Sequence, residues 1–457
     1  MKQLVRSIVR FRQDLRVVDN TALIQACTQS DEIIPIFVFD PVILAQWPAQ
    51  DPRVGFLIDA MRELDVQLRQ RGSQLYVLYG DSVDLISDLV SRLDVDCVFA
   101  NRSYGWGSMV RDQEARTRIS SKESNSECPW GCKDFVLCDD YLLVEPGAVE
   151  QRKVFTPFYK LWQKVDKKPV DSWDEQIVTP NLELTHLDDI TRHLDAGDNQ
   201  YRPVDGWKQI MAEFDLDGYD ETRNGLDITH GTSTLSPYVR FGLLSIRQVY
   251  EWAWGYDELT SLSAWRQAYI SELAWREFWQ HIAHYFPETM MIEFQQNRRG
   301  IQWINDVDQF QAWCDGRTGY PIVDAAMIQL KTENWMHGRA RMIVASFLTK
   351  DLLIDWRWGE QHFARYLIDY DRNVNMWNRQ RSASVGADPK PLRIFSPILQ
   401  AQRFDTSSEY ITQYLPQLSG ESAQRLHDPL KYTLNYTVPI VDHVMAQRRA
   451  KEVYKKW

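Results

Sequence analysis

The period of the hydrophobic pattern changes once along the chain, and that change restricts what the chain can build. Up to about residue 145, short apolar runs at Leu4–Phe11, Ile33–Phe39, Leu75–Tyr79, Cys97–Ala100 and Phe135–Cys138 are separated by roughly 15–35 residues. Helical patterns fill part of those intervals, over Val54–Arg71 and Ser82–Leu93. Strands joined through helices must cross over and lie parallel, which predicts an α/β, Rossmann-like parallel sheet. Ligands of such sheets bind beyond the carboxyl ends of the strands. No Gly-x-Gly-x-x-Gly follows the first strand, which argues against an ordinary dinucleotide site there. Beyond about Pro203 the strand signal fades. Amphipathic helical periods replace it at Ser245–Ala253, Ala264–His284, Val307–Trp313, Ile322–Thr332, Arg339–Thr349 and Gly359–Leu367. The expected organisation is an α/β domain over 1–145, a proline-punctuated connector over 146–205 with one periodic stretch at Phe158–Lys164, and an all-α domain over 206–457.

No stretch of about 18 uncharged apolar residues is present, so no membrane span is expected. The start, Met1-Lys2-Gln3-Leu4-Val5-Arg6, lacks a signal-peptide pattern. Six cysteines in 457 residues do not make a disulfide framework, and a cytoplasmic location is expected. Cys128, Cys132 and Cys138 have no fourth ligand at familiar zinc spacing, so no metal is expected. The net charge of −11 is unevenly spread: residues 1–200 hold 23 basic and 32 acidic side chains, whereas Trp335–Arg403 holds 11 and 6. A polyanion responds to the local patch, so the later half is the candidate nucleic-acid surface. Thirteen of the 18 tryptophans follow residue 200. That density raises the weight of aromatic stacking or electron transfer over simple core filling.

Four constellations carry chemistry. Gly231-Thr232-Ser233-Thr234-Leu235-Ser236-Pro237 crowds hydroxyls at a helix start, with Ser236 as the expected N-cap, Pro237 as the first helical residue, and Tyr219 and Arg223 upstream. Such a start can hold a phosphate; an ordinary capped helix is the plainer alternative. Glu272, Trp275, Arg276 and Trp279 share one helical face, which suits a planar guest with polar edges better than a core stripe. Its bland counterpart is a Trp-lined core with a Glu272–Arg276 surface pair. Trp335, Gly338, Arg339 and Met342 share another face, where Gly338 costs roughly 1 kcal/mol inside a helix unless a ligand approaches closely. Asp369 through Arg381 combines Asn, Arg and Trp and reads as a ligand-lining loop, followed by the cations of Lys390–Phe395.

Together these motifs resemble the photolyase/cryptochrome flavoprotein family, most closely its class I-type cyclobutane pyrimidine dimer photolyases. The resemblance runs through Phe11–Asn20, Val154–Phe158, the Thr-Ser-x-Leu-Ser loop, Glu272–Phe278, Thr318–Met327 and Lys350–Arg357. It implies an N-terminal antenna domain and a C-terminal helical domain that holds FAD. Matched FAD contacts are Tyr219, Thr232, Ser233, Thr234, Leu235, Ser236, Tyr269, Arg341, Asp369, Tyr370, Asp371 and Asn375, with Asn375 facing the flavin N5. Matched lesion contacts are Glu272, Trp275, Arg276, Met342 and Gln400, with Trp279 and Gly338 beside them. Arg223, Arg339 and Arg393 match phosphate-facing positions. The implied partner is UV-damaged DNA, and the implied reaction is light-driven splitting of pyrimidine dimers by electron transfer from reduced FAD. A monomer is expected. The cleft near Phe39-Asp40 and Asn101–Tyr104 is the candidate place for a second antenna chromophore, with four alternatives open: a folate, a deazaflavin, a second flavin, or none.

The chain departs from the family pattern in four places. Arg10 stands where Trp is usual, and Gly338 where Asn is usual. Arg379 and Arg381 replace tryptophans, the first at the inner position of the electron relay and the second at the lesion wall. Trp356 and Trp303 match the outer relay positions, and Trp377 is a candidate substitute for the missing inner one. These departures keep two alternatives open: a cryptochrome-type photoreceptor without repair activity, and a photolyase for a different photoproduct.

Overall fold

The computed structural model describes residues 2–120, 134–192, 194, 196–197, 203–255, 263–389 and 392–455. The chain divides into two compact units. One comprises Met1–Glu145, Asp166–Ala212 and Leu235–Tyr256; the other comprises Pro146–Val165, Glu213–Thr234 and Asp257–Trp457. Cys128, Cys132, Lys390 and Pro391 lie outside the described residues.

The first unit is built on a five-stranded parallel sheet, in the order β3-β2-β1-β4-β5. Its strands are β1 (Leu4–Phe11), β2 (Ser30–Phe39), β3 (Tyr76–Tyr79), β4 (Cys97–Asn101) and β5 (Asp134–Cys138). Ile8 of β1 pairs with Ile34 and Val98, and all three are fully buried, as the apolar runs require. β2 begins three residues before its apolar run. Pairing with β1 recruits the polar Ser30-Asp31-Glu32, helped by a 2.6 Å bond between the Ser7 and Ser30 hydroxyls. The helices Thr21–Gln29, Pro52–Gln70 and Ser82–Arg92 start on the side chains of Asn20, Asp51 and Asp81, which accept from backbone N–H groups of the first turn.

A buried ion cluster ties the segment Leu235–Tyr256 to the sheet. Arg247 Nε donates to Asp19 Oδ1 (2.9 Å) and Nη2 to Asp140 Oδ1 (2.7 Å), while Arg16 Nη2 donates to Asp140 Oδ2 (2.5 Å). None of these side chains is more than 6% exposed. Burial alone would raise the Asp140 pKa; Arg16 and Arg247 outweigh it and hold the carboxyl below its usual range.

The second unit is helical among its described residues, packed around Trp313, Met327, Val344, Phe347, Leu348 and Phe363. Several expected elements move. The helix over Phe158–Lys164 is Phe155–Trp162. The helix that begins at Gly338 ends at Ser346 and continues as a π turn, Phe347–Asp351. Gly338 is therefore a first-turn residue behind the His337 cap, not an interior one, and Trp335 precedes the helix instead of sharing its face. At the first unit's helix Ser236–Phe241, Leu235 is the N-cap and Ser236 the first residue, one position earlier than expected. The stretch read as a loop forms the helix Arg372–Ser382. Asp371 caps it by accepting from Val374 N at 3.1 Å. Its buried side chains mix polar Asn373, Asn375, Arg379 and Gln380 with Met376 and Trp377, so no clean apolar stripe announces it.

Arg247→Met should destabilise the fold by about 3–5 kcal/mol, because it leaves Asp19 and Asp140 buried beside too little positive charge. Asp140 has its pKa depressed by folding, so its contribution is present above the unfolded carboxylate value near 4 and lost as pH falls through the folded value. Urea unfolding should show the wild-type advantage at pH 7 and its narrowing below about pH 4. A variant within 1 kcal/mol of wild type at pH 7 would contradict the role of the cluster.

Candidate functional site

Within the second unit, two helices bring the Asp369–Arg381 segment against the start of the helix Gly338–Ser346. Arg341 Nη2 donates to Asp369 Oδ2 (2.8 Å), and Arg341 Nε donates to the Met336 carbonyl (2.8 Å). Asp371, Asn375 and Arg379 are spaced four residues apart, so they lie along one side of the helix that Asp371 caps. Asp371 Oδ2 accepts from Gln280 (3.0 Å), and Gln280 in turn accepts from Asn373 (2.6 Å). Asn375 Nδ2 points to Glu360 Oε1 (3.5 Å), which also accepts from the Tyr370 hydroxyl (2.6 Å). Glu360 and Gln280 escaped the sequence reading, because a buried polar residue looks like a surface one until its partner is known.

Farther along, Ser233 Oγ and the Tyr269 hydroxyl are 2.8 Å apart, and the Tyr219 and Tyr269 rings meet edge to face at 5.0 Å. Thr234 takes a left-handed backbone with φ 51°. A β-branched residue rarely does so, and such strain concentrates at ligand clamps. The set fits a bound FAD. Hydroxyls suit phosphates, the Arg341–Asp369 pair and the Asn375 amide suit the polar edge of a planar ring, and the 5%-exposed Arg379 has no carboxylate within ion-pair distance among the described residues, as befits a neighbour of an anionic group.

The long helix Ala264–Tyr285 carries the second cluster. Glu272 pairs with Arg223 (2.8 Å), not with Arg276 as in the plainer reading of the sequence. The Glu272 side chain is 48% exposed, so its carboxylate is open to a guest. Trp275 has two close neighbours over its ring. Phe155 stacks on it at 3.6 Å and 6°, and the Arg381 guanidinium lies 4.5 Å over its ring. Arg381 is tethered to the buried Asp388 (3.3 Å). Trp279 is only 1% exposed and backs Trp275 from the core, so it offers no surface to a guest. Arg276, Met342 and Gln400 are half-buried. A Cβ at Gly338 would meet open space, which fits a ligand-facing position.

Arg339 lies over Phe404 (4.3 Å) and donates to Asn224. Its pKa falls to about 10 through burial and through the nearby Arg393, Arg403 and Arg223. Four guanidiniums thus share one electrostatic neighbourhood. Arg403 was visible in the sequence only as one member of the basic stretch.

Of the two tryptophans matched to the electron relay, Trp356 is 1% exposed and shares an apolar cluster with the partly buried Trp303. Trp356 also lines an internal gap with Arg379, Phe363 and Trp313. Trp377 packs edge-on to Phe294 (6.2 Å) and does not line that gap.

The pattern of the DNA photolyase family matches residues 7–175, and that of the FAD binding domain of DNA photolyase matches residues 269–456. A deoxyribodipyrimidine photo-lyase of Synechococcus is 36% identical over 97% of this chain and 95% of the relative. An archaeal photolyase of Sulfolobus tokodaii, solved with two FAD molecules, superposes with a TM-score of 0.87 at 30% identity, over 99% of this chain and 100% of that one. A class III photolyase of Agrobacterium tumefaciens gives 0.86 at 30% identity, over 100% and 98%. On this full-length correspondence, the chain belongs to the DNA photolyase family.

Proposed function

We propose that the chain is a light-driven DNA-repair flavoenzyme, a deoxyribodipyrimidine photo-lyase that splits cyclobutane pyrimidine dimers. The observation that carries this reading is the full-length correspondence with relatives of that name. Bound FAD supplies light absorption and one-electron chemistry. The chain's own residues bind, orient and exclude water. Arg341, held by Asp369, and the Asn375 amide present charge and hydrogen bonds to the flavin edge, and Ser233 with Tyr269 and Tyr219 close the other side of the cofactor site. Trp356 and Trp303 form the outer part of an electron path.

A dimer inside a duplex is out of reach, so it must be extruded. Arg223, Arg339, Arg393 and Arg403 hold the flanking phosphates, Glu272 accepts hydrogen bonds from the polar base edge, and Arg381 on Trp275 presents a flat cation for the base to stack against. The same reading takes 1–145 as the antenna domain, 146–205 as the connector and 206–457 as the FAD- and DNA-binding domain, in a cytoplasmic monomer. A second chromophore, a folate, a deazaflavin or a flavin, sits in the antenna domain near Asn101–Tyr104. No helix of the described residues is long and apolar enough to cross a membrane.

Chemically reduced protein, illuminated with an oligonucleotide that contains a cyclobutane thymine dimer, should restore intact thymines. Persistence of the dimer after many equivalents of light would refute the repair reading. Glu272→Ala should lower affinity for dimer-containing DNA by roughly tenfold, the worth of one hydrogen bond to a charged group, and leave undamaged DNA nearly unaffected. Arg339→Ala should weaken both DNAs alike and reduce the salt slope of binding by about one. Fluorescence anisotropy titrations at several salt concentrations check both; equal losses on the two DNAs for Glu272→Ala would remove that residue from lesion recognition.

A further inference from the structure

Arg379 is a buried cation whose own neighbours do not neutralise it. Its Nη1 donates to the Arg341 carbonyl (3.0 Å) and its Nε to Asn375 Oδ1 (3.4 Å). The guanidinium lies 3.8 Å over the Phe363 ring. Nη2 has no hydrogen bond among the described residues. The two carboxylates that pull on it form their hydrogen bonds with other groups, Asp369 with Arg341 and Glu360 with Tyr370 and Asn375. Burial and the neighbouring Arg341 push the Arg379 pKa down to about 9, against the pull of Glu360 and Asp369. At neutral pH the group still carries its charge. A carbonyl, an amide oxygen and an aromatic face stabilise a guanidinium only in part, and a buried ion persists where an opposite charge joins it.

The side chain that faces Arg379 one turn earlier is Asn375, and the backbone it grips is that of Arg341. Both belong to the proposed flavin site, so the inference rests on that reading. We propose that Arg379 is a positioning residue for the redox state of the cofactor: it supplies the fixed positive charge that favours reduced, anionic FAD over neutral oxidised FAD. Two electrons and one proton convert the oxidised isoalloxazine into the reduced anion, so one negative charge appears on the ring and remains there. A cation fixed in a low-dielectric surround stabilises that product and leaves the neutral reactant nearly untouched. Phe363 and the Arg341 carbonyl keep the guanidinium in place, and its Nε bond to Asn375 Oδ1 fixes the amide so that Nδ2 is turned toward Glu360. The position thus gives up an aromatic ring and gains a charge.

The test uses the full chain loaded with FAD and a reductant equilibrated against a reference dye, with the flavin spectrum as readout. Wild type should bind reduced FAD at least tenfold more tightly than oxidised FAD, so its midpoint should lie about 30 mV or more above that of free FAD. Arg379→Gln should lose about tenfold of that preference, and Arg379→Lys should retain most of it. A wild-type midpoint at or below that of free FAD overturns the inference even where the Gln variant does not fold. An unchanged midpoint in a folded Arg379→Gln protein overturns it as well. A wild type that takes up no FAD defeats the functional reading itself, and with it this inference; a wild type that binds FAD without the preference defeats the inference alone.

Discussion

The bond from Asp371 to the Val374 N–H fixes where the helix Arg372–Ser382 begins, and the site follows from that starting point. Once the first turn is set, the four-residue repeat places Asn375 against Glu360 and Arg379 against the Arg341 carbonyl. Arg381, two residues farther, points elsewhere and covers Trp275. One capped helix therefore addresses the proposed flavin site with one face and the proposed lesion recess with another. A shift of one residue would turn Arg379 out of its pocket and leave the Arg341–Asp369 pair without its neighbour.

The sheet was legible because its apolar runs are short, strand-forming and spaced for helical crossovers. All five strands form within three residues of the expected limits. The helix Arg372–Ser382 was not legible, because polar Asn373, Asn375, Arg379 and Gln380 are buried in it beside Met376 and Trp377, which blurs the apolar period. Composition marked the segment as ligand-lining but gave no period. Gly338 stands in a first turn beside open space and not in a helix interior, so the helix-interior cost argued from the sequence does not arise. Trp279 shared a face with Trp275 by spacing, yet only depth separates a wall from its backing, and depth is not written in a helical wheel.

Two solutions to buried charge coexist in the chain. In the first unit, Arg16 and Arg247 meet Asp19 and Asp140 directly, and the result is a closed structural cluster. In the second unit, Arg379 contacts a carbonyl, an amide oxygen and a ring and forms no ion pair among the described residues, and Arg339 lies near other guanidiniums. Completed pairing holds a fold together, whereas incomplete pairing leaves charge for a guest. That contrast marks Arg379 and Arg339 among the arginines we assign to cofactor and DNA, whereas Arg223, Arg341 and Arg381 are paired with Glu272, Asp369 and Asp388.

The account stands on the helical unit holding a flavin dinucleotide. The direct measurement is the visible spectrum of the purified chain, followed by the spectrum of the supernatant after heat denaturation. The account predicts a yellow protein that releases close to one equivalent of FAD. A colourless protein that releases no flavin and cannot be reconstituted with added FAD would contradict it.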